Sequence, residues 1–165
     1  MFDALPANPE AKLEGFTHAD AIIVNPSNGF SVVFESKVLS DISTEITFDC
    51  MRNQIARIID VMLERPDPEV HVLDALSERQ RDLTCLVLLT PKLFQRNPWS
   101  KLYGRVIREY QSDPQALSRD LPHRWDNLDA VSKRLGWLTW EDCKSVLSSA
   151  CPWLPSESSY NSVLG

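Results

Sequence analysis

The stretch Asp20–Lys37, DAIIVNPSNGFSVVFESK, decides the fold. Two short β-branched runs, AIIV and FSVVF, flank the turn-rich loop Asn25-Pro26-Ser27-Asn28-Gly29, so the pair reads as a β-hairpin. The simplest register sets Asn25 against Phe30 across a four-residue turn, Pro26 to Gly29. Continued along the ladder, it sets Asp20 opposite Glu35, with Lys37 on the same face as Glu35. Opposed like charges destabilise an antiparallel pair. Two carboxylates and an ammonium on one face instead suit a hard divalent cation such as Mg²⁺, which takes oxygen ligands at about 2.0–2.1 Å. Register decides this placement, because a one-residue slip sends the two acids to opposite faces.

Outward from the hairpin, the second strand is expected to run from about Phe30 to Leu39. Its Phe30/Val32/Phe34/Ser36 face is nearly all apolar, and its Ser31/Val33/Glu35/Lys37 face turns polar towards one end. Asp49 resembles a helix N-cap, and Met51–Glu64 carries Ile55, Ile58, Ile59 and Met62 at helical spacing. The opposite face of that helix holds Asn53, Gln54, Arg57 and Asp60. They are either an ordinary solvated row or a row of donors near the metal face. Pro66 and Pro68 end the helix, and a short amphipathic piece covers His71 to Arg81. Thr84–Thr90 reads as a buried strand, and strand–helix–strand order predicts a parallel pairing.

Further on, the spacing predicts helices over Trp99–Gln111, Leu128–Leu135 (closed by Gly136) and Trp140–Ala150 (capped by Thr139), with a short element from Asp113-Pro114. Lys101, Arg105 and Arg108 share a helical face by their spacing. Trp125, Trp137, Trp140 and Trp153 read most simply as core. Before the hairpin, Glu10 to Glu14 allows one or two helical turns, ended by Gly15.

The chain has 165 residues, 43% of them hydrophobic, which suits one domain with a real core and argues against wholesale disorder. No apolar run approaches the roughly 20 residues needed to span a bilayer. The N-terminus does not read as a secretory signal, so a cytoplasmic location without a membrane is expected. The four cysteines, Cys50, Cys85, Cys143 and Cys151, form no C-x-x-C pair, and His18, His71 and His123 are isolated, so no structural zinc site is expected. Net charge is −6, which counts against a broad basic surface for nucleic acid. No phosphate-cradling glycine loop supports a small-molecule phosphohydrolase.

An acid opening one strand, E-x-K on the next and a glutamine on the following helix resemble the PD-(D/E)XK nuclease superfamily. Here these are Asp20, Glu35-Ser36-Lys37 and Gln54. The run FESKVLSDISTEITFDCMRNQIARIIDVML looks like a bacterial branch of that superfamily. The resemblance covers roughly residues 17–90. Alanine precedes Asp20 where the motif's name has proline, and Glu14 or Glu10 stands where the superfamily often carries a further acid on a helix.

The resemblance implies an α/β, restriction-endonuclease-like core, a mixed β-sheet flanked by helices, to which the spacing beyond residue 90 adds a helical C-terminal third. Residues 1–154 would form one domain, core about 17–90 and helical extension 91–154, with a flexible tail 155–165. It implies a Mg²⁺-dependent endonuclease (Mn²⁺ also suiting the site) that hydrolyses phosphodiester bonds, in DNA before RNA. Asp20, Glu35, Lys37 and Gln54 would be catalytic, and Asp20, Glu35 and the Ser36 carbonyl would hold the metal. Lys37 would orient a water and offset charge building on the phosphoryl group, while Arg57, Lys101 and Arg105 would contact nucleic acid. The alternative is a catalytically inactive module of the same fold that binds a protein or nucleic-acid partner. A protein partner or a homodimer fits either account.

Overall fold

A computed structural model describes residues 19–42, 52–64, 78–150 and 152–154. Four strands form one mixed sheet in the order β1-β2-β3-β4: β1 (Ala21–Val24), β2 (Ser31–Ser36), β3 (Thr84–Thr90) and β4 (Leu135–Thr139). β1 and β2 are antiparallel, while β2–β3 and β3–β4 are parallel. The hairpin holds the register read from its turn. Ala21 pairs with Phe34 and Val24 with Ser31, and the Asn25 and Asp20 amides donate to the carbonyls of Phe30 and Phe34. The Asn25 carboxamide accepts from the Ser27 amide, and that of Asn28 accepts from the Phe30 amide. Gly29 closes the loop at φ +70, where a side chain would also meet the Glu78 carbonyl at 2.6 Å.

Six helices accompany the sheet in the described residues: α1 (Gln54–Leu63), α2 (Lys92–Arg96), α3 (Leu102–Ser112), α4 (Pro114–Asp120), α5 (Leu128–Ser132) and α6 (Trp140–Leu147). The core joins Val33, Leu86 and Leu88 of the sheet to Ile55, Ile58, Ile59 and Met62 of α1 and to Tyr103, Ile107 and Tyr110 of α3. None of the described helices is long and apolar enough to cross a membrane.

Four sequence expectations are corrected. β2 ends at Ser36, and its buried face is Ser31/Val33/Glu35, because that is the face continuous with Leu86 and Leu88 beneath the helices; Val32, Phe34 and Ser36 are half-buried. α1 begins at Gln54, and Asn53 caps it by accepting from the Ala56 amide; Asp49 and Met51 lie outside the described residues. The Trp99–Gln111 segment is divided, a 3-10 turn over Pro98–Ser100 preceding α3. Leu128–Leu135 is not one helix either. α5 stops at Ser132, and Leu135-Gly136-Trp137-Leu138-Thr139 is a strand that extends the sheet beyond β3, so the C-terminal third is not purely helical. Gly136 lies in that strand, close against Val87, where an added Cβ would approach the valine methyl at 3.2 Å.

The β3 boundaries, its parallel pairing and the Thr139 cap agree with the sequence reading. Thr139 Oγ1 accepts from the Asp142 amide while an Asp142 carboxylate oxygen accepts from the Thr139 amide, a reciprocal capping box. The expected element at His71–Arg81, the residues around Glu10 and Glu14, Cys50, Cys151, His18 and the tail 155–165 lie wholly or largely outside the described residues.

Candidate functional site

The site lies where β2 ends, at the carboxyl edge of the parallel strands, the usual ligand-binding edge of an open α/β sheet. Alternation along β2 turns Glu35 inward, and its residue exposure is only 2%. Just past the strand, the Lys37 amide donates to the Leu89 carbonyl, so the ladder hydrogen bonding still fixes the backbone there. Gln54, the first residue of α1, reaches both neighbours. Its Nε2 donates to Glu35 Oε1 at 2.7 Å, and its Oε1 accepts from Lys37 Nζ at 3.0 Å. Lys37 Nζ also lies 2.8 Å from Glu35 Oε1. A three-membered ring of hydrogen bonds therefore fixes the amide, the ammonium and one carboxylate oxygen.

The second oxygen, Glu35 Oε2, is buried and has no hydrogen-bond partner. Burial raises the Glu35 pKa above its ordinary value. The hydrogen bond and charge of Lys37 work the other way, the Asp20 charge adds to the rise, and Arg57 opposes it.

Asp20 lies just before β1, beyond the last ladder pair Ala21–Phe34; its amide donates to the Phe34 carbonyl and the residue is exposed. Its Oδ2 accepts from the Ser36 amide at 2.7 Å and from Ser36 Oγ at 2.8 Å. Each acid thus has one oxygen saturated by donors, leaving Glu35 Oε2 and Asp20 Oδ1 without a described partner. Carboxylate oxygens and a backbone carbonyl such as that of Ser36 are the donor chemistry that Mg²⁺ or Mn²⁺ takes. Among the described residues no group of three or more His, Cys, Asp or Glu side chains gathers into one site. The candidate metal set holds only two such side chains, the third donor being a backbone carbonyl.

The remaining sequence candidates divide. Arg57 sits one turn beyond Gln54 on α1 and is buried, not solvated. Lys101 is committed to structure: its Nζ donates to the Leu39 carbonyl at 2.6 Å and stacks over the Phe94 ring. Arg105 is exposed on α3, and Arg108 lies over the Trp137 ring. Glu14 lies outside the described residues.

Sequence reasoning missed Asp41. Its carboxylate accepts from the Leu102 and Tyr103 amides and caps α3 from 61 residues away. No local pattern could reveal that contact. The tryptophans also depart from expectation: Trp137 packs against the core, but Trp125 and Trp153 are exposed, as is Trp99.

Comparison with protein-family models, with curated proteins and with solved structures gave no match.

Proposed function

We propose that this chain is a metal-dependent nuclease of the PD-(D/E)XK type, with a restriction-endonuclease-like core, acting on phosphodiester bonds in DNA before RNA. The observation that carries the reading is Glu35: a nearly enclosed carboxylate with one oxygen held by Lys37 and Gln54 and the other left without a donor. Leaving a buried oxygen unsatisfied costs about 1–3 kcal/mol. A cation arriving at that oxygen removes the penalty.

Asp20, Glu35 and the Ser36 carbonyl would hold the ion, which when bound supplies Lewis-acid polarisation of the phosphodiester and a more acidic water. The chain's own residues do the rest. Ser36 holds Asp20 by its amide and hydroxyl, which saturate Oδ2 with two donors. Gln54 and Glu35 hold Lys37, whose ammonium offsets negative charge developing on the phosphoryl oxygens.

The test is calorimetric titration of Mg²⁺ and Mn²⁺ into the wild type and Glu35→Gln, followed by plasmid and RNA cleavage. The expected result is binding and cleavage in the wild type and neither in the variant. Wild-type protein that binds no metal and cleaves neither substrate sinks the reading.

A second reading, a non-catalytic binding module, draws on Trp125. It is 96% exposed, although its neighbours Arg124 and Asp126 are anchored to Asp60 and Arg81. A large exposed aromatic on a pinned loop is the kind of residue that anchors a partner.

A further inference from the structure

We infer that Arg57 forms a built-in oxyanion subsite beside Glu35, and that it receives a phosphodiester group of the substrate. The inference rests on the nuclease reading for the ester, and on Arg57 alone for the oxyanion.

Arg57 is only 7% exposed, and its Nε has no hydrogen-bond partner. No carboxylate of the described residues lies within ion-pair reach of its guanidinium. Glu35 is near enough for Arg57 to favour its ionised form, yet the two form no ion pair, and the bonded Glu35 oxygen is already occupied by Lys37 and Gln54. Asp60, one turn further along α1, is taken by Arg52, His123 and Arg124.

A guanidinium cannot shed its proton, so burial leaves a permanent charge with five donors. Leaving such a charge uncompensated costs several kcal/mol. An anion bound across Nε and a terminal nitrogen supplies the missing partner, in the forked geometry that arginine offers to phosphate and lysine does not. Arg57 lies one helical turn from Gln54, which holds both Glu35 and Lys37, so that anion would sit at the same end of α1 as the candidate site.

The test follows the Arg57 Nε–H resonance of the ¹⁵N-labelled full chain without metal, assigned by its absence in Arg57→Lys. Dimethyl phosphate, inorganic phosphate and acetate are titrated separately to about 50 mM, well above a millimolar dissociation constant. The expected result is a saturable shift with dimethyl phosphate, stronger than with acetate and retained in Glu35→Gln. Cleavage by Arg57→Lys should also fall at least about tenfold in kcat/KM, the loss of one charge-assisted contact. A resonance that ignores both phosphates overturns the subsite, and one that answers inorganic phosphate alone overturns the diester. A dimethyl phosphate shift in a protein that neither binds Mg²⁺ nor cleaves leaves the subsite standing and removes the nuclease. Cleavage at the wild-type rate by Arg57→Lys, with an unmoved wild-type resonance, does the reverse.

Discussion

Glu35 and Asp60 are both carboxylates buried against α1, yet their surroundings are opposite. At Asp60, Arg124 Nε and His123 Nε2 meet Oδ1, and Arg52 Nη1 meets Oδ2 at 2.7 Å; Arg124 also donates to the Asp60 carbonyl. Burial pushes the Asp60 pKa up, but the hydrogen bonds from Arg124, His123 and Arg52 outweigh it and hold the group below its ordinary range. At Glu35 burial wins despite Lys37, and one oxygen has no partner. Asp60 is a finished fastener that ties α1 to the 121–124 segment. Glu35 is unfinished in the way a binding group is. Burial alone does not separate the two roles; the count of donors does.

The largest expected break is at the fastener. Asp60→Ala removes the one carboxylate that Arg52, His123 and Arg124 share, and the expected loss is about 3–5 kcal/mol in urea unfolding. A loss below about 1 kcal/mol, the ordinary worth of an exposed ion pair, would remove the distinction between the two acids.

Stability measured against pH sharpens the same contrast with opposite signs. Asp60 has a depressed folded-state pKa, so its contribution is present above 3.8 and is lost as pH falls through the folded value. Glu35 has a raised one, so the folded state keeps its proton longer, and stability falls as pH rises from 4.5 through the folded value. Asp60→Asn should flatten the acid limb, and Glu35→Gln should flatten the decline above 4.5. Identical profiles in both variants would contradict the assignment.

The smallest expected change in stability is Glu35→Gln at neutral pH. It removes an enclosed charge while keeping the shape, and should alter unfolding by no more than about 1 kcal/mol in either direction. A larger loss would make Glu35 a fastener too.

The hairpin and its register were legible because turn chemistry and alternation are local, and Asn25, Gly29 and the two flanking runs carry the whole signal. The meeting of Glu35, Lys37 and Gln54 followed from strand alternation and from the helix that succeeds it, whereas Asp20 bonds to Ser36 beyond the end of the ladder. β4 was hidden because five residues with a central glycine and tryptophan continue the apolar spacing of α5, and Gly136 imitates a helix stop. The burial of Arg57 and Asp60 was illegible for a different reason. Polar residues on a helix read as solvated unless their partners are visible, and two of the three side-chain partners of Asp60 lie 63 and 64 residues away. The exposure of Trp125 had no signal at all, since composition assigns tryptophan to the interior.

The strand order has a consequence for synthesis on the ribosome. β3, in which every residue is buried or half-buried, takes its second neighbour only from residues 135–139. At roughly 5–20 residues per second, the unpaired flank of TCLVLLT waits about two to nine seconds after Thr90 is added before its partner strand begins to be made. During that interval the nascent chain carries a sticky template that the finished protein does not display, and a delay in translation between Pro91 and Arg134 would prolong the hazard.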